Sequence, residues 1–323
     1  MSQEIKNNFC QVSLARDIPI ILENYYSFKK FYEAFNIFII CPKNQINEFK
    51  TKLNFQEIRI IDEDTIISFY DFNKIFNELS GSIKYKGDFH KRLGWYYQQI
   101  LKICFVLNFI NSKKENIVIW DADTIILKKI NFFKDAHSIK YATLFEFHKE
   151  YFQTNEKIIG KLPNYYISSL VQFIGISVLE YNFFIQNVLK LTKINEEINL
   201  AIPKIILQSI FESHREYNGS LFSEYELIGI LNYILNKTKQ TALFTLRNGL
   251  DGKLTNFQIA LSRVLNVKHV TYEHSHLNKN SQGMLKRNQK WSRFLRILLK
   301  EFIKFHLRNL RHNFKFFLKK RSL

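Results

Sequence analysis

Short apolar runs alternate with longer amphipathic segments in the first part of the chain. Four runs rich in β-branched and aromatic residues have the length of buried strands, at residues 9–15, 36–41, 57–61 and 116–120. Between them, apolar residues recur with a helical period at residues 18–35, 45–53 and 94–108. This order predicts an α/β fold in which a mostly parallel sheet is flanked by helices.

The pattern in the second half is less regular. It predicts helices at residues 181–192, 202–212 and 224–235, and short strands at residues 242–246 and 267–272. Residues 168–179 fit either a pair of short strands or one bent strand. Because no low-complexity linker interrupts it, we expect one globular domain over residues 1–283, followed by a helical tail over residues 284–323.

Charged residues follow three of the predicted strands. Arg16 and Asp17 follow the first, Asp62 follows the third, and Asp121 and Asp123 follow the fourth. Ligands of parallel α/β sheets bind beyond the carboxyl ends of the strands. We therefore expect these side chains to border a bound ligand.

The pair of carboxylates at Asp121 and Asp123 directly follows the apolar run Ile117-Val-Ile-Trp. Two like charges near a buried strand are costly unless a cation or hydrogen-bond donors compensate them. At a strand end both can present oxygens to one Mg²⁺ or Mn²⁺, which leaves positions for water and substrate phosphates. A solvated turn is the other explanation of this pattern.

Four ordered segments carry a family resemblance. The segment Trp120-Asp-Ala-Asp-Thr-Ile-Ile-Leu resembles the Asp-x-Asp element of GT-A glycosyltransferases. The segments Gly94-Trp-Tyr-Tyr-Gln-Gln-Ile-Leu-Lys102, Ile60-Ile-Asp-Glu-Asp64 and Phe222-Ser-Glu-Tyr-Glu-Leu resemble a bacterial family of candidate glycosyltransferases that is classed as a domain of unknown function. The similarity spans roughly residues 10 to 280. Arg92-Leu93 departs from the family's Arg-Pro-like turn before the second segment.

The resemblance implies a GT-A-like fold, a nucleotide-sugar donor and a divalent metal, Mn²⁺ or Mg²⁺. It implies that Asp123 is a direct metal ligand, while Asp121 contacts the donor ribose, or the metal through water. GT-A enzymes often add a histidine late in the chain as a metal ligand. In this sequence His276 is preferred over His274, with two surface histidines as the alternative. Arg16, Asp17 and Asp62 would then border the nucleotide.

Residues at the start of the helix predicted at 94–108 are candidates for donor contacts. Gln98 and Gln99 can hydrogen-bond sugar hydroxyls or phosphate, and Trp95 or Tyr96 can stack on a base or sugar. An ordinary core helix is the alternative, because Ile100, Leu101 and other apolar residues follow.

A general base is expected near Glu224 and Glu226, since an inverting transfer must remove the proton of the acceptor hydroxyl. Two residues apart on a helix, these side chains diverge, so only one should reach the site. Ser223 and Glu226 have the spacing of a capping box, which explains them without catalysis. We therefore prefer Glu224 as the base.

Most of the formal charge of +18 lies at the carboxyl end. Residues 284–323 contain 13 Lys and Arg and one acidic residue, Glu301. Their apolar residues follow two adjacent helical stripes: Trp291, Leu295, Leu298, Phe302 and Phe305, and Leu299, Ile303, Leu307, Leu310, Phe314 and Phe317. A basic amphipathic helix of this kind is typical of attachment to an anionic membrane surface. Packing on the chain's own domain and nucleic-acid binding are the alternatives.

The amino-acid composition of the chain limits the classes of protein to which it can belong. The 46% hydrophobic content excludes a disordered chain, and Cys10, Cys41 and Cys104 are predicted to be buried free thiols, with no metal-binding spacing. No signal-peptide core or spanning segment is present in the sequence, so we expect a cytoplasmic protein attached peripherally to the inner membrane.

The sequence therefore predicts a metal-dependent glycosyltransferase that builds a bacterial surface glycan of the lipopolysaccharide or capsule type on a glycan or lipid-linked acceptor. A metal-dependent nucleotidyltransferase is the first alternative, although the sequence has no glycine-rich phosphate loop. A basic nucleic-acid-binding protein is the second. We expect no nucleic-acid partner, because the excess positive charge is concentrated in the tail.

Overall fold

The computed structural model describes residues 7–83, 89–142, 147–163, 168, 172–189, 198–214, 219–236, 241–247, 250, 252–272 and 288–320. The strands within these ranges are β1 (Asn7–Val12), β2 (Phe35–Cys41), β3 (Ile58–Asp62), β4 (Ile117–Trp120), β5 (Thr124–Ile126), β6 (Phe133–Lys134), β7 (His137–Ser138), β8 (Tyr141–Ala142), β9 (Phe173–Ile176), β10 (Thr241–Ala242) and β11 (His269–Thr271). The α-helices are α1 (Ile18–Phe31), α2 (Ile46–Lys52), α3 (Phe69–Ile83), α4 (Leu93–Lys113), α5 (Lys149–Ile159), α6 (Val178–Phe183), α7 (Ile198–Ser213), α8 (Glu224–Asn236), α9 (Asn256–Val264) and α10 (Trp291–Lys320).

A five-stranded sheet in the order β3-β2-β1-β4-β9 forms the centre of the fold. The first four strands are parallel, and β9 is antiparallel to β4. Strands covered on both faces need apolar residues at successive positions rather than at alternate ones. The fully buried run Ile117–Trp120 is of this kind. The structure therefore confirms the predicted mixed α/β fold with a mostly parallel sheet.

The two faces of the sheet bury separate sets of side chains. Phe9 and Trp120 belong to the core under α1 and α2. Cys10 and Ile119 belong to the larger core formed with α3 to α8. Successive residues of a strand point to opposite faces, which explains the division.

Beyond β4 the chain turns back at once. Trp120 Nε1 donates to the carbonyl oxygen of Thr124 at 2.8 Å, and the Trp120 ring stacks on Phe173 with centroids 5.1 Å apart. Strand β5 then pairs antiparallel with β11. Gly175 on β9 permits close packing here, because a Cβ atom at this position would lie 3.1 Å from the Phe133 ring. The turn that holds Asp121 and Asp123 is thereby fixed to the core on both sides.

Several element boundaries differ from those predicted. The first strand ends at Val12 rather than at residue 15, because Asp17 Oδ2 accepts a hydrogen bond from Leu14 N at 3.0 Å and closes a turn. The first helix ends at Phe31, since Tyr32 has an extended backbone. In the segment 168–179 the described residues form one strand, β9, and Ser177 then caps α6. Residues 242–246 contain only the end of β10 and a single bridge from Leu246 to Val270.

The beginning of the tail helix is part of the body of the protein. Phe294, Ile297 and Leu298 are buried against residues around β11 and α9. Leu299 and Leu307, on another side of α10, are 60% and 61% exposed. The helix therefore has one apolar face that packs on the chain and a second that faces solvent.

Two further observations bear on the predictions. The thiols of Cys10, Cys41 and Cys104 are free and buried, as predicted. Among the described residues, no helix has both the length and the apolar character needed to span a membrane.

Candidate active site

The carboxyl end of β4 is the centre of the candidate site. Asp121 N donates to the Gln172 carbonyl at 2.9 Å, and the Asp121 carbonyl accepts from Thr124 N at 3.1 Å. Tyr272 N donates to the Asp123 carbonyl at 2.9 Å. These backbone bonds hold both aspartates of the Asp121-Ala-Asp123 turn at the edge of the sheet, where parallel α/β sheets bind ligands.

A buried lysine lies between two carboxylates at this edge. Lys102 Nζ is 2.6 Å from Asp121 Oδ1 and 2.8 Å from Glu224 Oε1. The side chains of Lys102 and Glu224 are 4% and 3% exposed, whereas that of Asp121 is 23% exposed. Three elements distant in sequence, α4, β4 and α8, therefore meet at one ammonium group.

A tyrosine completes the contacts around Asp121. Tyr225 Oη donates to the same Asp121 Oδ1 at 2.6 Å. The Lys102 ammonium lies 5.2 Å from the centroid of the Tyr225 ring, within the range of a cation–π interaction. The inner oxygen of Asp121 thus accepts two hydrogen bonds from buried donors.

Helix α4 also fixes the segment that leads into α8. Gln99 Oε1 accepts a hydrogen bond from Glu224 N at 3.0 Å. Tyr96 Oη accepts from Leu221 N at 2.8 Å and donates to the Gly219 carbonyl at 3.0 Å. Tyr96, Gln99 and Lys102 are three residues apart, so they lie along one side of the helix. This side of α4 determines where Glu224 begins α8.

The charges of the cluster affect one another. Burial alone would lower the pKa of Lys102, but the Asp121 and Glu224 carboxylates outweigh it and raise that pKa above its ordinary value. Burial raises the pKa of Glu224, and the Lys102 ammonium opposes this. Burial, followed by the nearby Asp121 and Glu224, raises the pKa of Tyr225. Lys102 therefore stays charged and Tyr225 stays a hydrogen-bond donor at neutral pH.

A cleft of about 160 Å³ opens over this cluster. Of the predicted site residues, Trp95, Gln98, Gln99, Asp121 and Glu224 line it. Sequence reasoning missed several others: Lys102, His148, Tyr151, Gln172, Ser223, Tyr225 and Arg247. Lys102 and Tyr225 both belong to segments that carry the family resemblance. Lys102 could have been identified from the sequence, because a lysine on the apolar side of a predicted helix is unusual.

Other predicted site residues do not line the cleft: Arg16, Asp17, Asp62, Tyr96, Asp123 and Glu226. Glu226 is fully buried, and its Oε1 accepts a hydrogen bond from the Ser168 hydroxyl. Asp17 closes the turn after β1, and Arg16 beside it is exposed. Asp62 Oδ1 accepts from Asp64 N at 3.0 Å. Because β3 is three strands from β4, Asp62 lies about 14 Å along the sheet from Asp121.

The residues of the Asp121-Ala-Asp123 turn supply some of the ligands that a divalent cation needs. Asp121 and Asp123 supply the carboxylate oxygens that Mg²⁺ and Mn²⁺ favour. No group of three His, Cys, Asp or Glu side chains suited to a metal occurs among the described residues. Mg²⁺ sites with one or two carboxylates are completed by water and substrate phosphates, and this donor set is compatible with such a site. His274 and His276 lie outside the described residues.

The sequence places the chain in a family. Residues 15–179, just over half of the chain, match the profile of the Family of unknown function (DUF6492), and the chain belongs to that family. This confirms the expectation of a family without an assigned function. No curated protein sequence matches the chain.

Comparison with solved structures finds glycosyltransferases at low similarity. Mouse xyloside xylosyltransferase 1 in its apo form shows 11% identity and a TM-score of 0.43, over 84% of this chain and 99% of that protein. Galactosyltransferase LgtC, in complex with donor and acceptor sugar analogs, shows 10% identity and a TM-score of 0.43, over 91% of this chain and 95% of that protein. PaToxG glycosyltransferase shows 13% identity and a TM-score of 0.30, over 65% of this chain and 70% of that protein. These likenesses are too distant to assign an activity.

Substitution of the buried lysine tests the energetics of the cluster. Lys102→Met leaves the Glu224 carboxylate buried without its counter-charge, and removing one partner of a buried pair costs about 3–5 kcal/mol. Urea unfolding should show that loss, and the double variant Lys102→Met/Glu224→Gln should recover part of it. Equal stabilities of the wild type and Lys102→Met would contradict the buried ion pair.

Proposed function

We propose that the chain is a glycosyltransferase that transfers a sugar from a nucleotide-sugar donor and uses Mn²⁺ or Mg²⁺. The observation that carries the proposal is the cleft at the carboxyl end of β4, where Asp121, Glu224 and Lys102 converge. Asp123 follows two residues after Asp121 in the same turn. The resemblance of four segments of the chain to GT-A glycosyltransferases and a related family supports the same reaction class.

The proposal assigns the donor to the side of the cleft formed by the Asp121-Ala-Asp123 turn. Asp123 would hold the metal, and a bound cation there would stabilise the charge that develops on the nucleotide diphosphate. Trp95 and Gln98 line the same cleft and are proposed to contact the donor. Arg247 also lines it and brings a positive charge suited to phosphate oxygens.

The protein is also proposed to contact the nucleotide through a residue that lies outside the cleft. Arg16 is exposed just after β1, the strand next to β4, and is retained as a contact. Asp17 and Asp62 are left out because both carboxylates close turns of their own.

Glu224 is the proposed general base of an inverting transfer. Glu224 is among the residues that line the cleft, and its backbone N–H donates to Gln99 Oε1. Lys102 offsets its charge in a buried setting. Glu226 is left out of the acid–base chemistry, since its hydrogen bond to Ser168 lies away from the cleft.

Binding and hydrolysis across a panel of nucleotide-sugars test the reaction class. With Mn²⁺ or Mg²⁺, the wild type should bind and slowly hydrolyse one donor, because the metal links the diphosphate to Asp123. EDTA or Asp123→Ala should abolish both signals. Equal behaviour of all donors with and without metal, in a correctly folded protein, would contradict the proposal.

Substitution of Glu224 tests the base. Glu224→Gln keeps the shape of the side chain but cannot accept a proton, so kcat should fall by about 10²- to 10⁴-fold. Glu180→Gln is the matched control, because Glu180 is 2% exposed on α6 and does not line the cleft. Steady-state kinetics with the donor found in the panel provide the measurement. An unchanged kcat in Glu224→Gln would remove Glu224 from the mechanism and favour a retaining transfer.

The exposed side of α10 is proposed to lie on an anionic membrane, near a lipid-linked acceptor of a surface glycan such as lipopolysaccharide or capsule. Leu295, Leu299, Ile303 and Leu307 are 47% to 61% exposed along this side. Lys and Arg residues are interspersed with them, and an apolar strip flanked by cations suits the headgroup region. The packed side of α10 would keep the body of the enzyme close to that surface.

Liposome sedimentation tests the attachment. The wild type should sediment with vesicles that contain phosphatidylglycerol and much less with neutral phosphatidylcholine vesicles, because the helix is cationic. Leu299→Glu/Leu307→Glu should abolish sedimentation without disturbing the packed residues Phe294 and Leu298. Sedimentation of this variant equal to that of the wild type would contradict the proposed surface.

A further inference from the structure

Part of the wall of the cleft is aromatic and comes from α5, a helix to which the proposed reaction assigns no residue. His148 and Tyr151, at the beginning of α5, both line the cleft. The centroids of their rings are 4.7 Å apart and the ring planes are inclined by 34°, so the imidazole rests on the phenol ring. Tyr151 is 5% exposed, whereas His148 is exposed. In this aromatic pair the phenol is a fixed support, and the imidazole is the ring that a ligand can reach.

Helix α5 is tied to the segment that leads into the proposed base. Thr154 Oγ1 donates to the carbonyl oxygen of Leu221 at 2.7 Å in a buried setting, three residues before Glu224. At the end of α7, His214 Nε2 lies 3.2 Å from the Thr154 hydroxyl and 3.1 Å from the carbonyl oxygen of Glu150. These contacts fix the aromatic pair in position relative to Glu224.

Charged and amide groups line the same cleft beside the aromatic pair. They belong to Asp121, Gln172, Glu224 and Arg247. The face of an aromatic ring is electron-rich and attracts positively polarised hydrogen atoms such as those of C–H bonds next to oxygen. A pyranose ring has a face of such C–H bonds and a rim of hydroxyl groups. Sites that combine aromatic surface with a few polar groups hold a ligand of this kind in one orientation. A linear lipid phosphate or a peptide side chain lacks this combination of surfaces.

We propose that the aromatic pair is the acceptor subsite, and that the acceptor ends in a pyranose ring with one face packed on the imidazole of His148. A general base must contact the acceptor hydroxyl, so the acceptor lies beside the helix that is anchored next to Glu224. His148 then determines specificity for a sugar acceptor.

The aromatic pair would orient the acceptor for the transfer. The acceptor oxygen forms a bond to the anomeric carbon of the donor sugar, and the bond from that carbon to the diphosphate oxygen breaks. The hydroxyl proton passes to Glu224, and the nucleoside diphosphate leaves with the electron pair of the broken bond. This step rests on the proposed function, whereas binding of a sugar ring to the aromatic pair does not.

Saturation-transfer NMR with methyl glycosides tests the subsite without any transfer reaction. The probes are the methyl α- and β-glycosides of glucose, galactose, mannose and N-acetylglucosamine, added at millimolar concentration to the full chain. We expect at least one of them to bind, with saturation strongest on the C–H protons of one face of its ring. Absence of binding by all of these probes would overturn the proposal.

Three variants locate the bound sugar. His148→Asn keeps a hydrogen-bonding group but removes the ring, so the Kd of the bound glycoside should rise about tenfold. His148→Phe keeps a ring without nitrogen atoms, and its Kd should stay within about twofold of the wild type. Phe147→Ala is the matched control and should bind as the wild type does. Phe147 is 64% exposed next to His148, but its ring stacks on Phe152 and it does not line the cleft.

Two results with these variants would overturn the subsite. Binding that is lost in His148→Phe and kept in His148→Asn would mean that a polar atom, and not the ring face, holds the sugar. A loss in Phe147→Ala as large as that in His148→Asn would place the sugar outside the cleft.

Steady-state kinetics separate this subsite from the proposed function. With the donor found in the panel and the tightest glycoside as acceptor, His148→Asn should raise the acceptor KM about tenfold and leave the donor KM unchanged. An acceptor KM equal to that of the wild type would overturn the subsite and leave the proposed function standing. Glycoside binding that depends on the His148 ring, in a protein that uses no nucleotide-sugar, would contradict the proposed function and leave the sugar site standing.

Discussion

The ammonium group of Lys102 is the contact on which the candidate site depends. It lies within 2.8 Å of carboxylates from β4 and α8, and it comes from the middle of α4. A buried lysine without such partners would lose its proton, and buried carboxylates without a cation would take one up. Each element therefore supplies the charge that the others need. Without this contact, the carboxylates of Asp121 and Glu224 would have no fixed positions relative to a bound ligand.

The rest of the fold explains how the ammonium group is held. Helix α4 packs against the sheet with Ile103 and Cys104, while Tyr96 and Gln99 bind the backbone that leads into α8. The turn after Trp120 is fixed by the indole N–H and by the pairing of β5 with β11. These contacts hold Asp121 and Glu224 at one cleft. This is the kind of preorganisation that charge stabilisation during group transfer requires.

The sequence predicted the central sheet well, because an apolar run is a local signal for a buried strand. It also predicted the position of Asp121, because the residue after a parallel strand lies at the edge of the sheet where ligands bind. The strands β5 to β8 contain two or three residues each, too few to show a period. The role of Lys102 could not be predicted, since its contact with Glu224 joins residues 122 positions apart. The sequence could not decide between Glu224 and Glu226 as the residue that reaches the cleft, because the directions of their side chains depend on how α8 packs against α4. The roles of His274 and His276 stay predictions.

The most direct test of the proposed reaction is a crystal structure with Mn²⁺ and the nucleoside diphosphate of the donor identified in the panel. Anomalous scattering locates the metal independently of any assumed ligand. An anomalous peak in contact with Asp123 and the diphosphate, with Lys102 still bound to Asp121 and Glu224, is the predicted result. A diphosphate bound away from this cleft, or a peak remote from Asp123, would contradict the assignment of the active site.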